Sequence, residues 1–133
     1  MTARVAGPIL DASALIAMLK AEPGGDMVAA AIADARMGVI NHAEVISQFA
    51  NLGMPADAID AMLSPLPITL VPADTALAHA AGHMRTLTAS AGLSLGDRFC
   101  LALARHEGRP AWTADRAWVD VAEAVGVEVV LIR

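Results

Sequence analysis

The chain has one cysteine, one lysine, no tyrosine, two phenylalanines and two tryptophans among its 133 residues. Each scarcity closes off a class of function. A single thiol, Cys100, cannot form an internal disulfide, which suits a reducing compartment. It lies between Phe99 and Leu101 with no histidine placed to activate it, so it reads as a buried structural thiol and not a nucleophile. So few aromatic rings argue against a base-stacking platform of the single-strand-binding kind. The apolar fraction is 56% and the mean hydropathy +0.55. Even so, no stretch approaches the roughly 18 uninterrupted apolar residues of a membrane span. The apolar run after Arg4 is interrupted by Asp11 and closed by Lys20, with no credible cleavage site. It therefore reads as mature protein rather than a signal peptide, and the chain as cytoplasmic, with no membrane partner. There is no GxGxxG after the first strand-like run, no GxxxxGK[ST] and no GxSxG elbow.

Basic charge is also in deficit: nine Lys and Arg stand against fourteen Asp and Glu, a formal charge of −5. That balance argues against broad nonspecific binding of phosphate backbones. It does not exclude a nuclease, because a bound cation inverts the local sign. Eight of the nine bases are arginines, and a few at a rim could hold a phosphate backbone.

No repeat, low-complexity tract or long linker divides the chain, and its length fits one domain over residues 1–133. Strand-like runs are expected at Gly7 to Leu10, Met37 to Ile40, Ile68 to Val71, Ala111 to Thr113 and Val127 to Ile132. Between them lie helix-like stretches. These are Ala12 to Lys20, Asp26 to Ala35, Asn41 to Leu52, Ala56 to Leu63, a long helix from about Ala73 to Ala89, Gly96 to His106, and Arg116 to Val125. Short strands alternating with helices predict a three-layer α/β/α domain, its parallel sheet of about five strands covered on both faces.

Against this pattern four acids stand out. Asp11 in GPILDASALIAML, Glu44 in MGVINHAEVISQF, Asp97 in LSLGDRFCLALA and Asp115 in PAWTADRAWVDV each follow a strand-like run at or near a helix start. In an open α/β sheet the carboxyl ends of the strands share one edge, where ligands bind. The four acids are expected to converge there. Clustered carboxylates cannot all ionise without a compensating cation, and oxygen-preferring Mg²⁺ or Mn²⁺ are the natural candidates.

Each acid also has an ordinary reading. Asn41-x-x-Glu44 and Ser94-x-x-Asp97 have the spacing of capping boxes, and Asp11 or Asp115 could simply cap a helix. Capping does not explain why all four follow strand ends, nor why Glu44 and Asp97 lead directly into apolar runs. The remaining histidines read as ordinary: His79 and His83 share a polar helix face without a further ligand, His42 reads as a solvated residue or cap, and His106 suits a helix C-terminus.

The segments I-L-D-A-S-A-L-I-A, H-A-E-V, L-S-L-G-D-R-F-C-L-A-L-A and W-T-A-D-R-A-W, in this order, resemble the PIN-domain family, and within it the VapC-type toxins of bacterial toxin–antitoxin pairs. The resemblance covers the whole chain. It implies a three-layer fold with a mainly parallel five-stranded sheet and an Mg²⁺- or Mn²⁺-dependent endoribonuclease acting on RNA. The family's acidic quartet maps onto Asp11, Glu44, Asp97 and Asp115, and its supporting hydroxyls onto Ser13 and Thr113. A cognate antitoxin whose C-terminal segment covers the groove, and a homodimer or larger toxin–antitoxin assembly, are implied as well. One or two ions, held chiefly by Asp11, Asp97 and Asp115, would bind the scissile phosphate and lower the pKa of an attacking water. Glu44 would complete the cluster through a water or as proton acceptor. Arg98 and Arg116, each following one of these acids, are candidates for phosphate contact, against the simpler reading of surface or intramolecular ion pairs.

Two other classes compete. A non-catalytic α/β module could bind a partner through an acidic groove, although a pure binder gains little from converging carboxylates. A phosphatase or receiver-like domain would want a DxD motif after the first strand and a late lysine, and Lys20 is the chain's only one.

Overall fold

The computed structural model describes residues 6–133; Arg4 and the rest of 1–5 lie outside the described residues. Five short strands, β1 (Ile9–Leu10), β2 (Arg36–Gly38), β3 (Thr69–Val71), β4 (Ala111–Thr113) and β5 (Val129–Leu131), form one sheet in the order β3-β2-β1-β4-β5. Every neighbouring pair is parallel. The chain builds outward from β1 through β2 to β3, then returns to the other side of β1 for β4 and β5. The topological switch point, where a crevice opens at the carboxyl edge of such a sheet, is therefore between β1 and β4.

Helices cover both faces. They are α1 (Ala12–Leu19), α2 (Gly25–Ala31), α3 (Val39–Asn51), α4 (Ala56–Leu63), α5 (Thr75–His83), α6 (Arg85–Thr88), α7 (Leu95–Glu107) and α8 (Ala122–Val125). The alternation of side chains along a strand divides the core at its central member. Ile9 packs with Leu77, Met84, Leu101, Trp118 and Val125 on the face carrying α5 to α8. Leu10 packs with Leu15, Val28, Val45, Ile59 and Leu63 on the face carrying α1 to α4. Burying each such side chain contributes about 1.5–3 kcal/mol, against about 1 kcal/mol net for a backbone hydrogen bond. With strands of two or three residues, these two apolar layers hold the sheet in place more than its hydrogen-bond ladder does.

The expected α/β/α architecture and five-stranded parallel sheet are present, but four elements differ from the sequence pattern, among them the helix expected from Asp26 to Ala35, which ends at Ala31 and passes into a 3-10 turn over Ile32–Asp34. Val39 and Ile40, which read as the end of a strand, are the first turn of α3, so Asn41 lies inside that helix and not at its cap. The long helix expected from Ala73 to Ala89 breaks after His83 into α5, the four-residue α6 and a 3-10 turn at Ala89–Ala91. The break coincides with Arg98, whose Nη1 donates to the Ala81 carbonyl at 3.0 Å, a side chain inserted where the helical ladder stops. The helix expected from Arg116 to Val125 begins as a 3-10 turn over Arg116–Asp120 and becomes α-helical only at Ala122. Two β-branched residues there, Val119 and Val121, favour the α-helix less than alanine or leucine do.

Candidate active site

Asp11 is the first residue beyond β1 and caps α1, its Oδ1 accepting from the Ala14 backbone N–H at 2.8 Å. It is 4% exposed. Two hydroxyls also donate to the same carboxylate. Ser13 Oγ lies 2.8 and 2.9 Å from the two oxygens, and Thr113 Oγ1, at the end of β4, donates to Oδ2 at 2.6 Å. The hydroxyls in turn accept from the loop after β4: Ser13 Oγ from Ala114 N–H at 2.9 Å, and Thr113 Oγ1 from Asp115 N–H at 3.0 Å. The switch point between β1 and β4 is thus closed by a buried carboxylate and two hydroxyls. Burial raises the pKa of Asp11 from 3.8 to about 6 despite these hydrogen bonds, and the Asp97 charge adds to the rise. Desolvation outweighs three favourable donors here because the side chain has almost no contact with water.

Glu44 sits in the second turn of α3, half-buried, with its Oε1 accepting from Asn41 Nδ2 at 2.9 Å. Its pKa is raised by burial, lowered in part by the Asn41 bond, and raised again by Asp97. The capping-box reading of Asn41 and Glu44 fails, because the helix begins at Val39 and the bond joins two side chains. For Asp97 the capping box is real. Asp97 Oδ2 accepts from Ser94 N–H at 2.8 Å, and Ser94 Oγ accepts from Asp97 N–H at 3.2 Å. Asp97 nevertheless stands close enough to raise the pKa of both Asp11 and Glu44, so the starts of α1, α3 and α7 meet electrostatically at one edge. The thiol of Cys100, fully buried one turn along α7, is pushed well up by burial and by the charges of Asp11, Asp97 and Glu44. That fits a structural thiol and not a thiolate nucleophile.

Asp115 joins this group through its backbone. Its N–H is bound to Thr113, while its exposed carboxylate caps the following turn, accepting from Ala117 N–H at 3.0 Å. Among the described residues, no three His, Cys, Asp or Glu side chains stand together as a group that could hold a metal ion. The full convergence expected of the quartet is therefore not reached. Asp97 and Asp115 are held by the hydrogen bonds of their own helix starts, and Asp11 by its helix start and by Thr113 of β4.

The two arginines part company. Arg98 is 8% exposed and turned inward onto α5, where it braces two helices; in this position it does not face a phosphate. Arg116 is exposed beside Asp115. Two residues whose part at this edge the sequence pattern did not show also belong to it. Asn41, 1% exposed, bonds Glu44 and the Gly96 carbonyl together, and the backbone of Gly96 lies against the Glu44 carboxylate. A polar residue within an otherwise apolar helix face was the available signal for Asn41. A cleft of about 540 Å³ between α5, α7 and β3 is lined by Arg36, Leu77, Leu103 and Arg105 among others and contains none of the four acids.

An all-parallel sheet covered on both faces, with Asp11 buried at its switch point and Asp97 acting on both Asp11 and Glu44, defines an α/β/α domain with an acidic carboxyl edge. The family model for the PIN domain matches residues 9–124, and the chain belongs to the PIN-domain family. Among solved structures it is similar to a chain of a toxin–antitoxin complex from Klebsiella pneumoniae, with a TM-score of 0.72 and 15% identity over 96% of this chain and 98% of that one. It is similar to a chain of DNA-bound VapBC from Salmonella typhimurium, with a TM-score of 0.73 and 14% identity over the same shares of the two chains. A chain of FitAcB from Neisseria gonorrhoeae aligns with a TM-score of 0.65 and 18% identity, over 93% of this chain and 96% of the other. At these identities the likeness is one of fold. Comparison with curated protein sequences finds no match.

Proposed function

We propose that this PIN-domain protein is a metal-dependent endoribonuclease and the toxin of a toxin–antitoxin pair. The observation that carries the reading is Asp11. It is a carboxylate buried at the switch point, made reluctant to ionise, and coupled to a second acid that also raises Glu44. Such an arrangement is costly in water and suited to a hard divalent cation, Mg²⁺ or Mn²⁺, which would be held by Asp11, Glu44, Asp97 and Asp115. When bound, that cation would neutralise the carboxylates, take the scissile phosphate and acidify a water.

The chain's own groups supply the rest. Ser13 and Thr113 fix the orientation of the Asp11 carboxylate and tie it to the loop that carries Asp115. Glu44, with Oε1 engaged by Asn41 and its pKa raised by burial, would take a proton from an attacking water. Arg116, exposed at the start of the turn after β4, would meet a phosphate of the RNA backbone.

Fold likeness over nearly the whole chain to components of toxin–antitoxin complexes supports the second half of the reading. The partner is then a small antitoxin protein, in a homodimeric or larger assembly. Tightly controlled expression in a bacterial host tests it. Growth should arrest with the wild type, continue with Asp11→Asn, and recover when the small protein encoded beside the toxin is co-expressed. Unimpaired growth with folded wild-type protein would favour an acidic binding module instead.

A further inference from the structure

Asn41 and Gly96 meet the same side chain from two sides. Asn41 is almost wholly buried, and the two protons of its amide go to Glu44 Oε1 at 2.9 Å and to the Gly96 carbonyl at 3.0 Å. Gly96, in the first turn of α7, presents its backbone to the Glu44 carboxylate. A Cβ there would come within 2.3 Å of Oε2 and 2.6 Å of Oε1. No side chain fits at 96 while Glu44 stays where it is. Glycine is a poor helix former, and Gly96 is helical with no positive φ to justify it, so close approach is the physical reason for a glycine here. The residue that follows is Asp97.

We propose that Asn41 and Gly96 form a seat that fixes the Glu44 carboxylate beside Asp97, which makes both of them positioning residues of the acidic site. The inference rests on the reading of that site as a metal-dependent nuclease centre. Asn41 selects one carboxylate oxygen and binds it to α7. The bare backbone of Gly96 lets the start of α7 approach until Glu44 and Asp97 face the same crevice. A hydrogen-bonded neighbour of this kind typically changes metal affinity or activity by about 10–100-fold when removed.

The two residues separate positioning from stability. Asn41→Ala deletes both donors, strips a partner from a buried carbonyl and lowers the unfolding midpoint. Gly96→Ala improves helix propensity, and the atoms it collides with are the free end of a flexible side chain, so the protein folds while Glu44 moves. Both variants, with wild type and Glu44→Gln, would be titrated with Mn²⁺ by electron paramagnetic resonance and assayed on RNA. The Glu44 carboxyl ¹³C resonance, identified by its loss in Glu44→Gln, would be recorded without metal. The seat predicts a shifted Glu44 resonance in both variants, Mn²⁺ affinity at least tenfold weaker and cleavage reduced by a similar factor. It also predicts that Gly96→Ala added to Glu44→Gln costs less than twofold more. An unmoved resonance in both variants overturns the seat whether or not metal binds, as does Mn²⁺ affinity within twofold of a wild type that binds and cuts. Failure of the nuclease reading looks different: wild type itself would neither bind Mn²⁺ nor cleave RNA.

Discussion

Thr113 donates its hydroxyl to Asp11 across 2.6 Å, which joins the carboxyl ends of β4 and β1 at the switch point of the sheet. Both residues are buried, and the same hydroxyl accepts from the Asp115 N–H. Thr113→Val keeps the shape and removes donor and acceptor together. It should destabilise the protein by about 1–3 kcal/mol in urea unfolding at pH 7.5. The loss should shrink at pH 5, where Asp11 is mostly protonated and the bond is no longer charge-assisted.

Asp11 itself is expected to limit stability. Its pKa rises from 3.8 to about 6 on folding, so between those values the native state holds a proton that the unfolded state has released. Stability of the metal-free protein should therefore fall as pH rises from about 4 to about 6 and level off above. The full difference corresponds to about 3 kcal/mol. Asp11→Asn, unfolded in EDTA, should be more stable than wild type at pH 7.5 by up to about that amount, with the gap closing near pH 4. A gap that stays constant across this range would show that Asp11 does not titrate as its burial requires.

Divalent cations should reverse that cost. Mg²⁺ or Mn²⁺ should raise the melting temperature at pH 7.5, and raise it less at pH 5, where protons compete for Asp11. Asp11→Asn should lose most of the shift. Thermal scans with and without EDTA check this directly.

Arg98 and Arg116 should behave oppositely. Arg98 is buried with its guanidinium on the Ala81 carbonyl, so Arg98→Ala should lower stability by about 2–3 kcal/mol through lost packing and a lost hydrogen bond. Arg116→Ala should leave the unfolding midpoint unchanged and weaken RNA binding, with a shallower dependence on salt. Chemical unfolding and fluorescence anisotropy with a labelled RNA separate the two effects.

Much of the architecture was legible in the sequence because its signals are local. Apolar runs such as Gly7 to Leu10 and Ala111 to Thr113 end at acids that begin helices, and that alternation alone specifies a covered parallel sheet. What was hidden depended on contacts between distant segments. Val39 and Ile40 are β-branched and follow a strand, so the start of α3 reads two residues late, and that shift disguised Asn41 as a cap. The inward turn of Arg98 cannot be read from its neighbours, since only the carbonyl of Ala81, seventeen residues earlier, explains it. Gly96 looks like an ordinary helix-start glycine until Glu44, from the other face of the sheet, is seen against it. The three aspartates of the quartet also perform the capping that made them look ordinary. Only their shared edge, and the mutual effect of Asp97 on Asp11 and Glu44, sets them apart.

The central proposal is that the acids at the carboxyl edge of the sheet cut RNA with the help of a divalent ion. The most direct measurement is incubation of purified, antitoxin-free protein with total cellular RNA in Mg²⁺, Mn²⁺ or EDTA, alongside Asp11→Asn and Asp97→Asn, with fragment ends mapped by sequencing. The account predicts discrete fragments that require metal and disappear in both variants. Folded wild-type protein that binds Mn²⁺ yet leaves every RNA intact, or cleavage that persists equally in both variants, would contradict it.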